Sequence, residues 1–228
     1  MTTSSSARSA RQLRLDLGRT PSYARDDFIV SACNAAAVAA IEAWPKWPGG
    51  RLALIGPAGS GKTHLARAWA AMAGATTPAL SAGLDSFRGP MLIEDADRRA
   101  PDELLFHLFN LADGGASLLI TGRTAPATWP ARLPDLRSRL KALTVVGMEP
   151  PDDFVLLGVM KKLFSERNIK PGTGVADYII RRVERSAPAL QDLVRRIDER
   201  AGAERREVTL PLVRDILHQR DEILDRGG

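Results

Sequence analysis

Eight consecutive residues combine glycines, a lysine and a hydroxyl in the spacing G-x-x-x-x-G-K-T, which is typical of loops that bind phosphate. They are Gly56, Pro57, Ala58, Gly59, Ser60, Gly61, Lys62 and Thr63. An apolar segment precedes this loop and an alanine-rich one follows it, so backbone N–H groups and a helix N-terminus can converge on phosphate oxygens. We expect Lys62 to contact the β and γ phosphates of a nucleotide and the Thr63 hydroxyl to bind Mg²⁺. The alternative is a glycine-rich turn with an exposed lysine.

Two adjacent acids, Glu94 and Asp95, end the apolar segment MLIEDAD. After a phosphate loop, one carboxylate can position Mg²⁺ through a water molecule while the other orients an attacking water. The alternative role for such an acid is to cap a helix. We expect Asp97 to be a solvated surface residue.

The apolar patterns around these residues alternate between strand and helix, which predicts an α/β domain with a parallel sheet flanked by helices. After Pro150 and Pro151 every apolar pattern has helical spacing, which predicts a small all-helical domain. We expect a disordered tail at 1–22, the α/β domain at 23–149 and the helical domain at 150–228. The predicted strands are 51–55, 78–82, 90–94, 117–121 and 143–146, and the predicted helices are 35–44, 64–74, 102–113, 152–168, 174–186, 188–203 and 210–224.

The composition, with 44% hydrophobic and 26% charged residues, excludes collagen, a long coiled coil and wholesale disorder. The single cysteine, Cys33, excludes an internal disulfide and a CxxC zinc site. Neither a signal peptide nor a membrane-spanning run is apparent, so we expect a cytoplasmic protein without a membrane partner. The net charge of +5 is compatible with nucleic acid or with solubility alone.

Several segments, in this order, resemble the ATPase core of the bacterial DnaA replication initiators: DFIV with Asn34, GPAGSGKTHL, LIEDAD, LLITG and LPDLRSRLKAL. They are more similar still to the short Hda type of that family, whose members inactivate the initiator. The resemblance covers residues 23–217 and implies an AAA+ fold, in which ADP or ATP with Mg²⁺ lies between the α/β domain and a helical lid.

The resemblance also implies roles for individual residues. By position, Phe28, Ile29 and Val30 correspond to the segment that lines the adenine pocket, and His64 belongs to the nucleotide-contacting GKTHL segment. Arg139 corresponds to the family's arginine finger, which reaches the nucleotide of a neighbouring protein and stabilises transition-state charge. The alternative for Arg139 is a surface arginine in a basic turn with Arg137 and Lys141.

Other positions depart from the family pattern. Pro188 stands at or beside the position of the lid arginine that senses the γ-phosphate, and Arg195 or Arg196 is the candidate substitute. Arg123 stands at the polar sensor position, and Glu94 replaces the usual first aspartate. We therefore expect bound ADP to serve mainly as a structural ligand, with little hydrolysis by the protein itself.

Two further departures concern assembly and DNA. The sequence ends at Gly228 without the helix-turn-helix domain of full initiators, and the short segment GLDSFRG replaces their helical insertion. We therefore expect neither direct reading of an origin nor filament assembly, and self-association is left open.

The N-terminal tail contains the hexapeptide QLRLDL, in which Leu13, Leu15 and Leu17 share one face of an extended chain. With Gln12 it resembles the QLxLxL peptide that docks on the bacterial sliding clamp. The alternative is an ordinary tail or an alternating strand.

Together these features predict a negative regulator of replication initiation that docks on the clamp, meets DNA only through it, and stimulates ATP hydrolysis by DnaA. The first alternative is an autonomous P-loop ATPase or helicase loader. A small-molecule kinase would need a lid rich in phosphate-binding arginines, which fits the sequence poorly.

Overall fold

A parallel sheet of four strands forms the centre of the structure, a computed structural model that describes residues 23–78, 87 and 89–225. The strands are β1 (Arg51–Ile55), β2 (Met91–Ile93), β3 (Leu118–Gly122) and β4 (Val145–Gly147), in the order β2-β3-β1-β4. Ile55 pairs with both Gly122 and Gly147, so the carboxyl ends of β1, β3 and β4 finish at the same level. The predicted α/β class with a parallel sheet is confirmed.

Alternate side chains of the sheet enter two separate apolar layers, because successive residues of a strand point to opposite faces. Leu52 and Leu54 of β1 pack with Trp69 on one face, whereas Ala53 packs with Phe109 on the other. Helices cover both faces: α1 (Ala35–Glu42), α2 (Lys62–Ala73), α3 (Ala96–Arg99), α4 (Asp102–Asp113) and α5 (Pro134–Ala142).

Four helices follow the sheet and share an apolar core of their own. They are α6 (Asp153–Glu166), α7 (Val175–Ile180), α8 (Ala187–Glu204) and α9 (Leu210–Asp225). Asp152 caps α6 by accepting a hydrogen bond from the Val155 amide, and Ser186 caps α8 by accepting one from the Ala189 amide. These helices form the lid predicted from the sequence.

The structure differs from the sequence prediction at several elements. Helix α7 ends at Ile180 rather than near residue 186, and Ser186 caps the next helix, α8. Helices α3 and α5 were not predicted. The predicted strand at 78–82 lies outside the described residues apart from Pro78, and the tail at 1–22 lies wholly outside them. Within the described part of the chain, no helix is both long and apolar enough to cross a membrane.

Candidate functional site

The segment from Gly56 to Thr63, the phosphate loop, follows the carboxyl end of β1 and includes the first two residues of α2. Its base is fixed by the neighbouring strands, since the Gly56 amide donates to the Gly122 carbonyl at 3.2 Å. Gly61 precedes the helix with φ +99°, a conformation that residues with side chains rarely adopt. The loop therefore presents its backbone and the start of α2 at one edge of the sheet, as the sequence predicted.

The side chain of Lys62 turns into this loop and is only 7% exposed. Its Nζ donates to the carbonyls of Gly56 and Pro57, both at 2.7 Å. Burial lowers the pKa of Lys62, and the negative charge of Asp95 partly opposes that shift. The ammonium group thus lies inside the phosphate loop rather than in solvent.

Aromatic side chains from the N-terminal part of the structure cover the start of α2. The Phe28 ring lies against Gly61, where an added Cβ atom would be 3.3 Å from Cε2 of Phe28. The His64 ring makes edge contacts with Tyr23 at 5.6 Å and Phe28 at 5.4 Å between centroids. His64 Nε2 also donates to the Ala24 carbonyl at 3.0 Å. His64 therefore holds the N-terminal segment on α2 through its side chain.

The other two adenine-pocket candidates lie beside Phe28 in the chain. Ile29 packs against α6 of the lid, because a Cβ atom on Gly158 would lie 2.4 Å from the Ile29 Cδ1. Val30 is exposed. Asn34 is buried and holds the segment in place, donating to the Ile29 carbonyl and accepting from the Ser31 amide, both at 3.0 Å.

Both acids that follow β2 are paired with arginines. Glu94 Oε2 lies 2.9 Å from both Nε and Nη2 of Arg67 on α2. Asp95 has a left-handed backbone with φ 53°, and its carboxylate lies 2.9 Å from Nη2 of Arg98. The Asp95 amide donates to the buried Thr121 hydroxyl at 2.9 Å, which fixes the acid beside the end of β3.

A magnesium ion could be held here only together with a nucleotide. Among the residues that the structure describes, no group of three His, Cys, Asp or Glu side chains could bind a metal by itself. Mg²⁺ bound with nucleotide phosphates commonly takes only one or two carboxylates from the protein. The exposed Thr63 hydroxyl, Glu94 and Asp95 are of the right chemistry for that mode.

The expectation that Asp97 is a solvated surface residue was wrong. Its Oδ2 accepts a hydrogen bond from the Arg123 amide at 2.8 Å. Its Oδ1 is buried and has no hydrogen-bond partner among the described residues. The loop that follows β3 needs an acceptor for its amide, and Asp97 supplies it.

The lid touches the phosphate loop directly at the start of α8. The Ala187 amide donates to the Gly59 carbonyl at 3.4 Å. A Cβ atom on Gly59 would lie 3.3 Å from Cδ of Pro188, which the sequence resemblance predicts to stand at or beside the position of a γ-phosphate-sensing lid arginine. The candidate substitutes are engaged elsewhere: Arg195 pairs with Asp192 and Glu199 on its own helix, and Arg196 donates to the Ile216 carbonyl of α9.

Arg139 lies on α5, on the opposite face of the sheet from α2, and its side chain is 25% exposed. Its Nη1 donates to Asn110 at 2.8 Å and to Asp113 at 2.9 Å, both on α4, and its Nε lies 2.7 Å from Asp135. The guanidinium carbon lies 5.4 Å from the centroid of the Phe106 ring. Arg137, two residues earlier, is exposed. In this conformation Arg139 is bound to its own protein's surface.

Sequence reasoning missed four residues that shape this site: Tyr23 and Arg67, which connect to Glu94, and Gly158 and Ser186, which let the lid approach. Only Gly158 carried a signal, because an isolated glycine inside an apolar helical pattern indicates close packing. The other three depend on contacts between segments distant in sequence.

A phosphate loop at the end of an interior strand of a parallel sheet, covered by a helical lid, defines an AAA+ protein. The structure resembles domain III of the Thermotoga maritima replication initiator DnaA, with a TM-score of 0.72 and 22% identity over 88% of this chain and 97% of that one. It also resembles AMPPCP-bound DnaA from Aquifex aeolicus, with a TM-score of 0.66 and 19% identity over 91% of this chain and 71% of that one.

The sequence comparisons agree with this class. The Hda lid domain family matches residues 157–217. The chromosomal replication initiator protein DnaA of Thermomicrobium roseum is 26% identical over 90% of this chain and 51% of its own length. The chain thus spans about half the length of the curated relatives it matches. The chain is thus related to DnaA, with an AAA+ fold and a lid similar to that of Hda.

Proposed function

We propose that this protein is a negative regulator of chromosome replication initiation, which binds an adenine nucleotide, docks on the sliding clamp and stimulates ATP hydrolysis by DnaA. The observation that carries the proposal is the contact between lid and phosphate loop. Pro188, which has no charge to offer a phosphate, packs beside Gly59. By the family resemblance it stands at or beside the position of the γ-phosphate-sensing arginine. Such a site is suited to retaining a nucleotide rather than to hydrolysing it.

Nucleotide binding is supported by the convergence of three parts of the chain. The phosphate loop offers backbone amides and Lys62, Phe28 packs beside Gly61, and the start of α8 packs on Gly59. A solved relative contains AMPPCP, an adenine nucleotide analogue. ADP or ATP would therefore lie between the α/β domain and the lid, with Phe28 to Val30 near the adenine. Magnesium would neutralise phosphate charge there, held by Thr63 with Glu94 or Asp95.

An autonomous ATPase is disfavoured by the state of the two acids. A guanidinium beside a carboxylate offsets its charge, which weakens the attraction of the carboxylate for the protons of an attacking water. Glu94 is engaged by Arg67, and Asp95 by Arg98. The lid also has Pro188 at or beside the position of the sensing arginine. The negative charges of the two acids are therefore offset by arginines, and the positive charge of a lid arginine is missing there.

Arg139 is the candidate that would act on the nucleotide of DnaA. A guanidinium supplied to another protein's γ-phosphate can be worth about 10³ to 10⁵ in rate. To reach it, Arg139 would exchange its contacts with Asp113 and Asp135 for phosphate oxygens. Both carboxylates are about half exposed, and pairs of this kind contribute only about 0–1 kcal/mol each. The hydrogen bond to Asn110 and the contact with the Phe106 ring would be given up as well.

Recruitment would come from the hexapeptide at 12–17, which lies outside the described residues. Gln12 and the three leucines Leu13, Leu15 and Leu17 would occupy a groove on the clamp. A docking peptide raises the local concentration of the regulator at DNA. DNA would be met only through the clamp.

The proposal is tested by measuring ATP turnover by DnaA in the presence of clamp loaded on DNA, with and without this protein. We expect turnover to rise when the protein is added and to fall back when the clamp is omitted. Arg139→Ala should bind clamp and ADP normally yet abolish the rise, whereas Arg137→Ala, from the exposed neighbouring position, is the matched control. Equal stimulation by Arg139→Ala and the unchanged protein would contradict the role of Arg139 as the arginine finger.

Two further variants separate recruitment from nucleotide binding. Replacing Gln12 and Leu13 by Ala should abolish pull-down of the clamp and leave ADP affinity unchanged. Lys62→Ala should weaken ADP binding and leave the clamp interaction intact, with Lys46→Ala as its control, since this exposed lysine precedes the amino end of β1 and the loop follows the carboxyl end. Unchanged pull-down by the first variant would contradict the role of the tail.

A further inference from the structure

The acid at the end of β2 is connected to the N-terminal part of the structure through one arginine. Arg67 on α2 binds Glu94 Oε2 through both Nε and Nη2, at 2.9 Å each. Its third nitrogen, Nη1, donates to the Tyr23 hydroxyl at 3.0 Å, and its guanidinium lies 4.7 Å from the centroid of the Tyr23 ring. Glu94 and Tyr23 therefore hold one guanidinium between them.

This arrangement determines what Glu94 can offer to a cation. An arginine guanidinium keeps its charge throughout the physiological range, and Arg67 holds that charge 2.9 Å from Glu94 Oε2. A carboxylate whose charge is compensated by a fixed guanidinium attracts a second cation less strongly. The Arg67 side chain is 45% exposed and that of Glu94 is 23% exposed, so the pair can open without disrupting the core.

The strap, defined as residues 23–27, determines how firmly Arg67 is held. Tyr23 provides both an acceptor oxygen and an aromatic face, and these orient the guanidinium from the side away from Glu94. The strap is itself attached to α2 by the hydrogen bond from His64 to the Ala24 carbonyl. Arg25, also in the strap, instead pairs with Glu42 of α1.

We propose that Arg67 is a positioning residue that withholds Glu94 from magnesium in the nucleotide site, and that Tyr23 strengthens this restraint. The inference rests on the proposed nucleotide site, since Glu94 is a magnesium candidate only there. The consequence for that site is that magnesium contributes less to nucleotide affinity as long as the strap holds Arg67 against Glu94.

The test is the ratio of the dissociation constants of a fluorescent ADP analogue measured without and with Mg²⁺. Arg67→Gln should raise this ratio about two- to fivefold, the size expected for releasing a carboxylate from a partly exposed ion pair. Tyr23→Phe should give a smaller rise, because the ring remains and only the acceptor is lost. Arg67→Lys should return the ratio towards that of the unchanged protein. Asp26→Asn, at an exposed position of the strap, is the control and should leave the ratio unchanged.

Adding Glu94→Gln distinguishes positioning from a structural effect. In the Glu94→Gln background the Arg67→Gln change should no longer raise the ratio, since no carboxylate is left to release. A variant that only loosens the fold would weaken ADP binding equally with and without Mg²⁺ and would leave the ratio unmoved, which would overturn the inference. A rise that persists in the Glu94→Gln background would overturn it as well. Failure of the unchanged protein to bind the ADP analogue would instead overturn the proposed nucleotide site.

Discussion

Ser186 and Gly59 lie so close that a Cβ atom on Gly59 would approach the Cβ of Ser186 to 2.4 Å. Gly59 belongs to the phosphate loop and Ser186 caps the lid helix α8. The lid can therefore pack on the loop only because the loop has no side chain at this position. Glycine at this position therefore allows the lid to pack on the loop and allows the loop to adopt its left-handed backbone.

We predict that Gly59→Ala separates the lid from the phosphate loop. The added methyl group must displace the Ser186 backbone region, which costs about 1–3 kcal/mol. The left-handed conformation, with φ +77°, adds about 1 kcal/mol more. We expect ADP affinity to fall at least tenfold, consistent with the loss of about 1.4 kcal/mol, measured by equilibrium binding.

Gly74→Ala is the matched control for this prediction. Gly74 is also left-handed, with φ +63°, but a Cβ atom there would meet nothing within 4 Å. The Gly74→Ala variant should lose only the free energy of unfolding that the left-handed backbone costs, about 1 kcal/mol in urea unfolding, and its ADP affinity should be unchanged. Equal loss of affinity in both variants would mean that the contact with Ser186 is unimportant.

The sheet and the lid could be predicted because their signals are local. The buried strand at 51–55 and the amphipathic helix at 102–113 were predicted with the bounds that the structure has. Helix α5 has only a weak local signal, because its segment is short and charged and a basic turn would have a similar sequence. The apolar pair Leu136 and Leu140, spaced by four residues and buried, was the signal that could have revealed it.

A second prediction concerns Gly158 and Ile29, the contact between α6 and the adenine-pocket segment. A methyl group on Gly158 would force Ile29 from its rotamer, which costs about 0.5–1.5 kcal/mol. Alanine stabilises a helix by about 0.8–1.0 kcal/mol relative to glycine, so the two effects nearly cancel. Gly158→Ala should therefore leave the free energy of unfolding nearly unchanged but weaken ADP binding, because Ile29 moves.

The rescue variant makes this prediction specific. Ile29→Val removes Cδ1, the atom that would lie 2.4 Å from the new methyl group. The double variant should regain ADP affinity relative to Gly158→Ala alone. If affinity stays low in the double variant, the packing of Ile29 on α6 does not control nucleotide binding.

A third prediction follows from Asp152, the cap of α6. The hydrogen bond from the Val155 amide, with a smaller contribution from the Ser31 hydroxyl, lowers the pKa of Asp152 below its usual value of 3.8. A lowered pKa in the folded state stabilises the protein fully above the unfolded-state pKa, and this contribution is lost as the pH falls through the folded-state pKa. Asp152→Ala should cost about 1 kcal/mol at pH 7 in urea unfolding.

The cost of Asp152→Ala should then shrink as the pH is lowered below 3.8. Asp152→Asn is the control, because asparagine caps a helix about as well as aspartate but does not titrate. It should retain most of the stability at pH 7. A cost of Asp152→Ala that is constant down to strongly acidic pH would contradict the role of the ionised carboxylate.

The part of the site that lies in one contiguous motif could be predicted from the sequence. The part formed where segments distant in sequence come together could not. The phosphate loop is contiguous, and its spacing alone indicated its place at the end of β1. The partners of its acids are not contiguous: Arg67 and Glu94 are brought together only when α2 packs beside β2, and nothing local to either residue indicates the other. Asp97 was misjudged for the same reason, since its partner is the Arg123 amide after β3.

The last prediction concerns the release of Arg139. Asp113 also pairs with Arg51, so changing Asp113 would disturb a second ion pair, whereas Asp135 contacts Arg139 from the same helix. If Arg139 must leave its partners to reach the nucleotide of DnaA, Asp135→Asn should make that step easier. We expect DnaA ATP turnover at limiting amounts of this protein to rise about 1.5- to 5-fold, the equilibrium equivalent of one partly exposed ion pair.

Arg139→Ala in the same background should abolish the rise, and thermal unfolding checks that α5 stays folded. A fall in turnover with Asp135→Asn would mean that the ion pair aligns Arg139 for its task instead of restraining it.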